Sequence, residues 1–214
     1  GVKRVSAKKC ASILGRLRFV SVAIPGSAGL FSALQWAKNQ AGTNRIRVNK
    51  FVRDSLDAFG RLATSLCYRP TRLAEIVPQH PTMLGATDAA KPGMGGIFYT
   101  SAGRPYVWRH PFPPDIQHRL VSADNLRGDI TNSDLEHAGL LAQVDLTCGL
   151  ETLEYATIDN LSDNTPAVSR VRKGAVSTCG AAAALCRFAS DHQRLHRYCH
   201  IAHFLPGEHN VMAD

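Results

Sequence analysis

Four carboxylates stand out in this 214-residue chain by where they fall, not by number. Asp88 and Asp159 each close a predicted β-strand, Glu136 sits in the first turn of a predicted helix, and Asp214 follows a strand and loop. In α/β sheets the carboxyl ends of the strands are where sites gather. Carboxylates brought together repel one another and hold their protons unless a cation neutralises them. Hard oxygen ligands select Mg²⁺ or Mn²⁺ over zinc. Two such ions, roughly 3.5–4 Å apart, clamp the attacking water and the leaving oxygen of a phosphodiester.

Other side chains compete for attention. Asp163 lies four residues beyond Asp159 and could replace it as a ligand, but within Ser-Asp-Asn-Thr it reads as a turn or helix-capping residue. Asn160 either touches a nucleic acid backbone or caps a strand end. His209 or His203 could serve as a mobile general base, or be plain loop histidines. His192, His196 and His200 recur every four residues as on a metal-binding helix face, yet no HExxH motif is present and Cys179, Cys186 and Cys199 lack a zinc-knuckle spacing. The turn Gly93–Gly96 has no Gly-Lys-Ser/Thr after it, so it is not a phosphate loop; Gly95 suits a tight hairpin or the close approach of a nucleic acid backbone. Trp36, Tyr68 and Trp108 could stack on bases, with packing the favoured role. No Gly-x-Ser-x-Gly elbow occurs, which leaves a serine hydrolase without support.

The elements that must position these groups fall into two parts. Residues 1–75 carry apolar residues at helical spacing in three runs: Ile13, Leu14, Leu17 and Val20; Leu30, Phe31, Leu34 and Ala37; Phe51, Leu56, Phe59, Leu62 and Leu66. Ser6 caps the first run, and the second ends near Gly42. No strand-like alternation is visible, so a small all-helical module is expected over residues 1–78. The prolines of Val77-Pro78-Gln79-His80-Pro81 mark a linker. A second module over 79–214 is expected to open with three antiparallel strands (Met83–Thr87, Gly95–Thr100, Pro105–His110). A helix capped by Asn132-Ser133, a strand Glu154–Ile158, a helix opened by Thr165-Pro166, an alanine-rich helix and a last strand Ile201–Leu205 follow. The fold class is therefore mixed α/β.

Charge divides along the same line. Residues 1–80 hold 14 Lys and Arg against 3 Asp and Glu, whereas residues 81–214 hold 11 against 14. A basic surface of that size attracts polyanions, nucleic acid above all. Arg45, Arg47, Lys50 and Arg53 are the candidate phosphate contacts. No apolar run approaches the roughly 18 residues of a membrane span. The six scattered cysteines, without a CxxC pair, read as reduced thiols of an intracellular protein, in cytoplasm or nucleus.

Four segments resemble the ribonuclease H domains of retroelement reverse transcriptases, of the long-terminal-repeat or DIRS-like kind. They are Thr87–Gly96 (TDAAKPGMGG), Asn132–Glu136 (NSDLE), Thr157–Asn160 (TIDN) and Leu205–Asp214 (LPGEHNVMAD), in order and on elements of the expected type. Lys8–Leu17 resembles, less sharply, the helix after the polymerase palm in the thumb and connection region. The resemblance implies a ribonuclease H-like mixed five-stranded sheet flanked by helices. It implies a catalytic and metal-binding set of Asp88, Glu136, Asp159 and Asp214 holding two Mg²⁺ or Mn²⁺ ions, with His209, or else His203, as the candidate general base. The implied activity is hydrolysis of the RNA strand of an RNA–DNA hybrid, with the polymerase portion of a parent polyprotein as partner. No Asp-Asp pair occurs, so polymerisation is not expected of this chain. A non-catalytic connection module, or a ribonuclease H-like nuclease acting on DNA, are the alternative expectations.

Overall fold

The computed structural model describes residues 4–41, 45–178 and 180–210. Asp214, Cys179 and the expected helix end at Gly42 lie outside the described residues. The first part is built on three helices, α1 (Ala7–Ser21), α2 (Phe31–Ala41) and α3 (Lys50–Tyr68). Ser6 caps α1 by accepting from the Lys9 amide, and Asn49 caps α3 by accepting from the Val52 amide, so both starts are fixed by side-chain acceptors. Leu14, Phe31, Leu34, Ile46 and Val52 pack together as one apolar cluster.

This part is not all-helical. Arg4–Ser6 (β1) pairs antiparallel with Arg45–Arg47 (β2), placing Arg4 opposite Arg47 and Val5 opposite Ile46. Three residues are too few for a period to show in the sequence. What holds β2 is Ile46, which is 3% exposed in the helical core while Arg45 and Arg47 stay in solvent.

Residues 76–82 carry neither helix nor strand, and the apolar clusters on either side of them share no residue. The two parts are nevertheless in contact. The Arg197 guanidinium donates to Glu75 and to the Pro70 carbonyl, and the turn Ser27–Leu30 lies against the alanine-rich helix.

The second part is a mixed five-stranded sheet flanked by helices. Strands β3 (Met83–Ala90), β4 (Gly93–Tyr99) and β5 (Pro105–Pro111) form an antiparallel meander; β6 (Thr157–Ser162) and β7 (Cys199–Phe204) add parallel on the other edge of β3. The spatial order β5-β4-β3-β6-β7 puts β3, which carries Asp88, at the centre. Helix α4 (Pro114–Arg119), absent from the sequence-based expectation, follows β5. Then come α5 (Asn132–Leu150), α6 (Thr165–Lys173) and α7 (Ala181–His196).

Three of the boundaries that differ from expectation bear on the site. Helix α5 is capped at Thr131: the Asp134 carboxylate accepts from both the amide and the hydroxyl of Thr131, and from Arg170. Asn132-Ser133 is thus already inside the helix. Strand β6 begins at Thr157, not Glu154, because Tyr155 adopts φ 66°, a left-handed conformation no strand accommodates. Asp159 therefore sits inside β6. Asp88 likewise lies within β3, sixth of its eight residues.

A chain of buried polar contacts crosses the core. Trp108 Nε1 donates to Gln143 Oε1 (3.0 Å), Gln143 Nε2 donates to Asn160 Oδ1 (2.8 Å), and the Asn160 amide meets His200 Nε2 (3.1 Å). The Gln143 side chain reaches from α5 onto β3 and β4 only because Gly85 and Gly96 lack a Cβ, which would lie 2.2 and 2.6 Å from its amide atoms. Gln143→Leu strands the buried Asn160 amide, at about 1–3 kcal/mol, and frees the part-buried Trp108 indole N–H at a smaller cost. A fall in unfolding free energy of that size, read as a lower urea midpoint with unchanged slope, is the expected result.

Candidate active site

The parallel register of β3 and β6 decides which carboxylates meet. Met83 pairs with Ile158, Leu84 with Asp159, Gly85 with Asn160 and Ala86 with Leu161. Asp159 is therefore beside Leu84, four residues or about 13 Å along the strand from Asp88. Continued by two residues, the same register brings Asp163, not Asp159, opposite Asp88. Side-chain oxygens of Asp88, Glu136 and Asp163 all lie within 4.8 Å of one another.

Glu136 is the buried member of the trio, 2% exposed, in the first turns of α5. Burial, and then the neighbouring Asp88 and Asp163, push its carboxyl up to about 8. Its Oε2 atom is buried with no hydrogen-bond partner. A buried acceptor without a partner, set between two further carboxylates, favours a cation at that point. The donor set is all oxygen and carries up to three negative charges, which fits a hard divalent cation.

Asp159 belongs to a different group. Its Oδ1 is 3.6 Å from His203 Nε2, and the Arg172 guanidinium reaches His203 Nδ1 (3.1 Å). Burial pushes the Asp159 carboxyl up, while His203 and Arg172 oppose that shift. Asn160, expected at a nucleic acid backbone, is 1% exposed and spent on Gln143 and His200. It points into the core because Asp159, its neighbour on the strand, points out.

His209 stands on the turn Gly207–His209, largely exposed and 3.7 Å from Glu208. That turn approaches the trio: a Cβ on Gly207 would lie 3.0 Å from Asp163 Oδ2. The turn is anchored by Asn210, fully buried, whose amide donates to the carbonyl of Thr87, the residue before Asp88.

No family model matches the sequence, and no curated protein does. Solved chains of ribonuclease H type match it in backbone. The ribonuclease H1 of Halobacterium salinarum is similar over 62% of this chain and 91% of its own, at 14% identity and a TM-score of 0.44. The N-terminal ribonuclease H domain of a Mycobacterium tuberculosis protein, solved as a fusion with maltose binding protein, is similar over 62% and 92%, at 15% identity and TM-score 0.43. A foamy viral protease–reverse transcriptase in complex with an RNA/DNA hybrid is similar over 99% of this chain but only 26% of its own, at 14% identity and TM-score 0.37.

Beside the trio the sheet offers an open groove of about 700 Å³, lined by Asp88, Gly93–Gly96 and Val107–Pro111. Antiparallel pairing sets Asp88, Gly95 and Arg109 in one row across β3, β4 and β5. Gly95 leaves the middle of that row bare, so a bulky ligand can reach the strand backbone between a carboxylate and an exposed guanidinium. Arg109 was not a candidate from sequence. The signal was the alternation of Val107 and Arg109 on one side with Trp108 on the other, legible only once the strand's two faces are assigned.

The expected basic contacts Arg45, Arg47, Lys50 and Arg53 are all exposed. Lys50 is already paired with Asp54 (3.0 Å), its i+4 neighbour. The β1–β2 ribbon adds Arg4 directly opposite Arg47, with Arg45 on the same side, away from buried Ile46. Like charges facing each other across a strand pair disfavour the ribbon unless an anion lies over them. The other large aromatics pack: Trp36 meets Phe51 edge-on and Trp108 is held by Gln143, whereas Tyr68 is exposed. Among the described residues no helix is long and apolar enough to cross a membrane.

Proposed function

We propose that this chain is a divalent-metal-dependent nuclease that hydrolyses the RNA strand of an RNA–DNA hybrid, with Asp88, Glu136 and Asp163 holding the metal. The observation that carries this reading is the convergence of three carboxylates around a buried, unpartnered Glu136 oxygen. Asp163 takes the place expected for Asp159, and Asp214 remains the fourth carboxylate that the resemblance implies. When bound, Mg²⁺ or Mn²⁺ supplies an activated water and stabilises the departing oxygen. The chain's own part is to fix the ligand oxygens, with Glu136 held by the start of α5 and Asp163 by the start of α6. Asn164, capping α6 through the Ala167 amide, sets where that helix begins. His209, two residues beyond the Gly207 that approaches Asp163, is the residue this reading assigns to proton exchange with the reacting oxygens.

The groove supports a duplex substrate. A row of carboxylate, bare glycine and guanidinium fits a sugar–phosphate backbone lying across β4. RNA is told from DNA by its 2′-hydroxyl and groove shape, not by base edges. The arginines of β1–β2 and α3 supply sequence-independent attraction to phosphates. A retroelement reverse transcriptase is the parent this reading favours, with the polymerase portion as partner.

Comparing cleavage of an RNA–DNA hybrid, duplex DNA and single-stranded RNA in Mg²⁺ and Mn²⁺ tests the proposal. Cleavage of the hybrid alone, lost on chelation, is expected; preferential cleavage of duplex DNA would sink the substrate assignment. The basic face has its own test. Replacing Arg45, Arg47, Lys50 and Arg53 by Ala should weaken hybrid binding and flatten the log–log salt dependence by up to about 0.9 for each duplex phosphate that is no longer neutralised. Fluorescence anisotropy over a salt series reads both quantities. Saturating turnover should change far less, since the carboxylates are untouched.

A further inference from the structure

We infer that this protein carries a second, soft-metal site, unconnected with the carboxylate trio, in which zinc is held by Cys148, His192 and His196. Ligand atoms of these three side chains lie within 4.8 Å of one another. Cys148 comes from the last turns of α5, and His192 and His196 stand four apart on α7, so both imidazoles share one helix face. Glu136 and Cys148 are twelve residues apart on the same helix, about 18 Å at 1.5 Å per residue, so the two sites are physically distinct.

The donors suit zinc and not magnesium. A thiolate and two imidazoles are borderline-soft ligands, whereas the trio offers only oxygen. On a tetrahedral zinc, neighbouring ligand atoms are about 3.5 Å apart given Zn–S of about 2.3 Å and Zn–N of about 2.0 Å. Small side-chain rotations close the observed cluster to that size. Asp145, one turn before Cys148 on α5, has its Oδ1 3.1 Å from His192 Nε2 but stands outside the three-residue cluster, so a water molecule completes the tetrahedron.

The surroundings are those of a metal-bound imidazole. Tyr198 hydroxyl contacts His192 Nδ1 at 2.9 Å, fixing the ring so that Nε2 faces Asp145. A hydrogen bond on the far nitrogen is what orients a ligating histidine. The His192 and His196 rings lie 4.4 Å apart between centroids. Two imidazoles at that distance gain from a shared cation and repel once protonated. Helices α5 and α7 also end together here, and the partial negative charge of two C-termini favours a cation between them. Binding takes up Cys148 as thiolate and releases its proton. The result is a clamp joining the ends of α5 and α7.

Cobalt is the probe, because a thiolate ligand gives it a charge-transfer band that carboxylates do not produce. Metal-free protein titrated with Co²⁺ should develop that band together with the intense visible bands of four-coordinate cobalt, and Zn²⁺ should bleach both. Cys148→Ser should remove the charge-transfer band, and His196→Gln should lower affinity by more than about 100-fold, since even outer-sphere changes cost 10–100-fold. Asp88→Asn should leave the spectrum unchanged. Zn²⁺ should raise the melting temperature of the natural protein and not of Cys148→Ser. A spectrum that remains that of aqueous cobalt, or a thiolate band that survives Cys148→Ser, overturns the site. If Cys148→Ser fails to fold, the half-buried His196→Gln decides by itself, and an undiminished affinity there overturns the site as well.

Discussion

Asp163→Asn should reduce cleavage of an RNA–DNA hybrid by more than about 100-fold, while Asp159→Asn should retain most of it. The magnitude follows from metal chemistry: altering groups that merely support a ligand already costs 10–100-fold, so neutralising a ligand costs more. The contrast between two aspartates four residues apart follows from strand register. Asp163 continues β6 to the level of Asp88, and its oxygens fall within 4.8 Å of those of Asp88 and Glu136. Asp159 is two pairs back from the last paired residue, Leu161, and faces His203. Single-turnover cleavage in Mg²⁺, with hybrid binding measured separately, distinguishes loss of chemistry from loss of affinity. The opposite ranking, with Asp159→Asn the more damaging, would exclude Asp163 from the metal-holding set.

Glu136→Gln should stabilise the metal-free protein at pH 8 by an amount on the order of a few kcal/mol. The carboxyl has its folded-state value raised from 4.5 to about 8, by burial first and by Asp88 and Asp163 next. A carboxyl raised on folding binds its proton more tightly in the native than in the unfolded state. Its contribution to stability is therefore fully present below about pH 4.5, and falls away as the pH climbs to about 8. The amide does not titrate, so the gap between variant and natural protein should open across that interval. Mg²⁺ or Mn²⁺ should close it, because the cation stabilises the ionised native site and has little to bind in the variant. Urea unfolding from pH 4 to 9, with and without metal, gives both comparisons. A constant difference across the series would mean that Glu136 keeps an ordinary carboxylate in the folded protein.

Most of the architecture was legible from local pattern. The three helical runs of the first part, the meander of β3, β4 and β5, and the helix carrying Glu136 all follow from apolar periodicity and turn residues, which act over a few positions. Ser6 as a cap was readable for the same reason: a side-chain acceptor three residues before an unpaired amide is a local event. The ribbon of β1 and β2 was not, because its partners are about forty residues apart and Ile46 is the anchor that matters. The start of β6 was misplaced by three residues, since nothing local announces that Tyr155 will take a left-handed conformation beneath Arg197.

For the site, the sequence by itself determined that acidic residues would converge and that Asp88 and Glu136 would be among them. Those statements depend on residue type and on which element carries it. Which third carboxylate joins them, and whether Asn160 faces solvent or core, depended on strand register. A strand's sides alternate every residue, and its level against a neighbour is set by pairing that no single segment encodes. The same holds for Cys148, His192 and His196. Two of them share a visible four-residue spacing, but the thiol that completes the cluster comes from a helix some forty residues earlier, and only the packing of α5 against α7 brings it within reach.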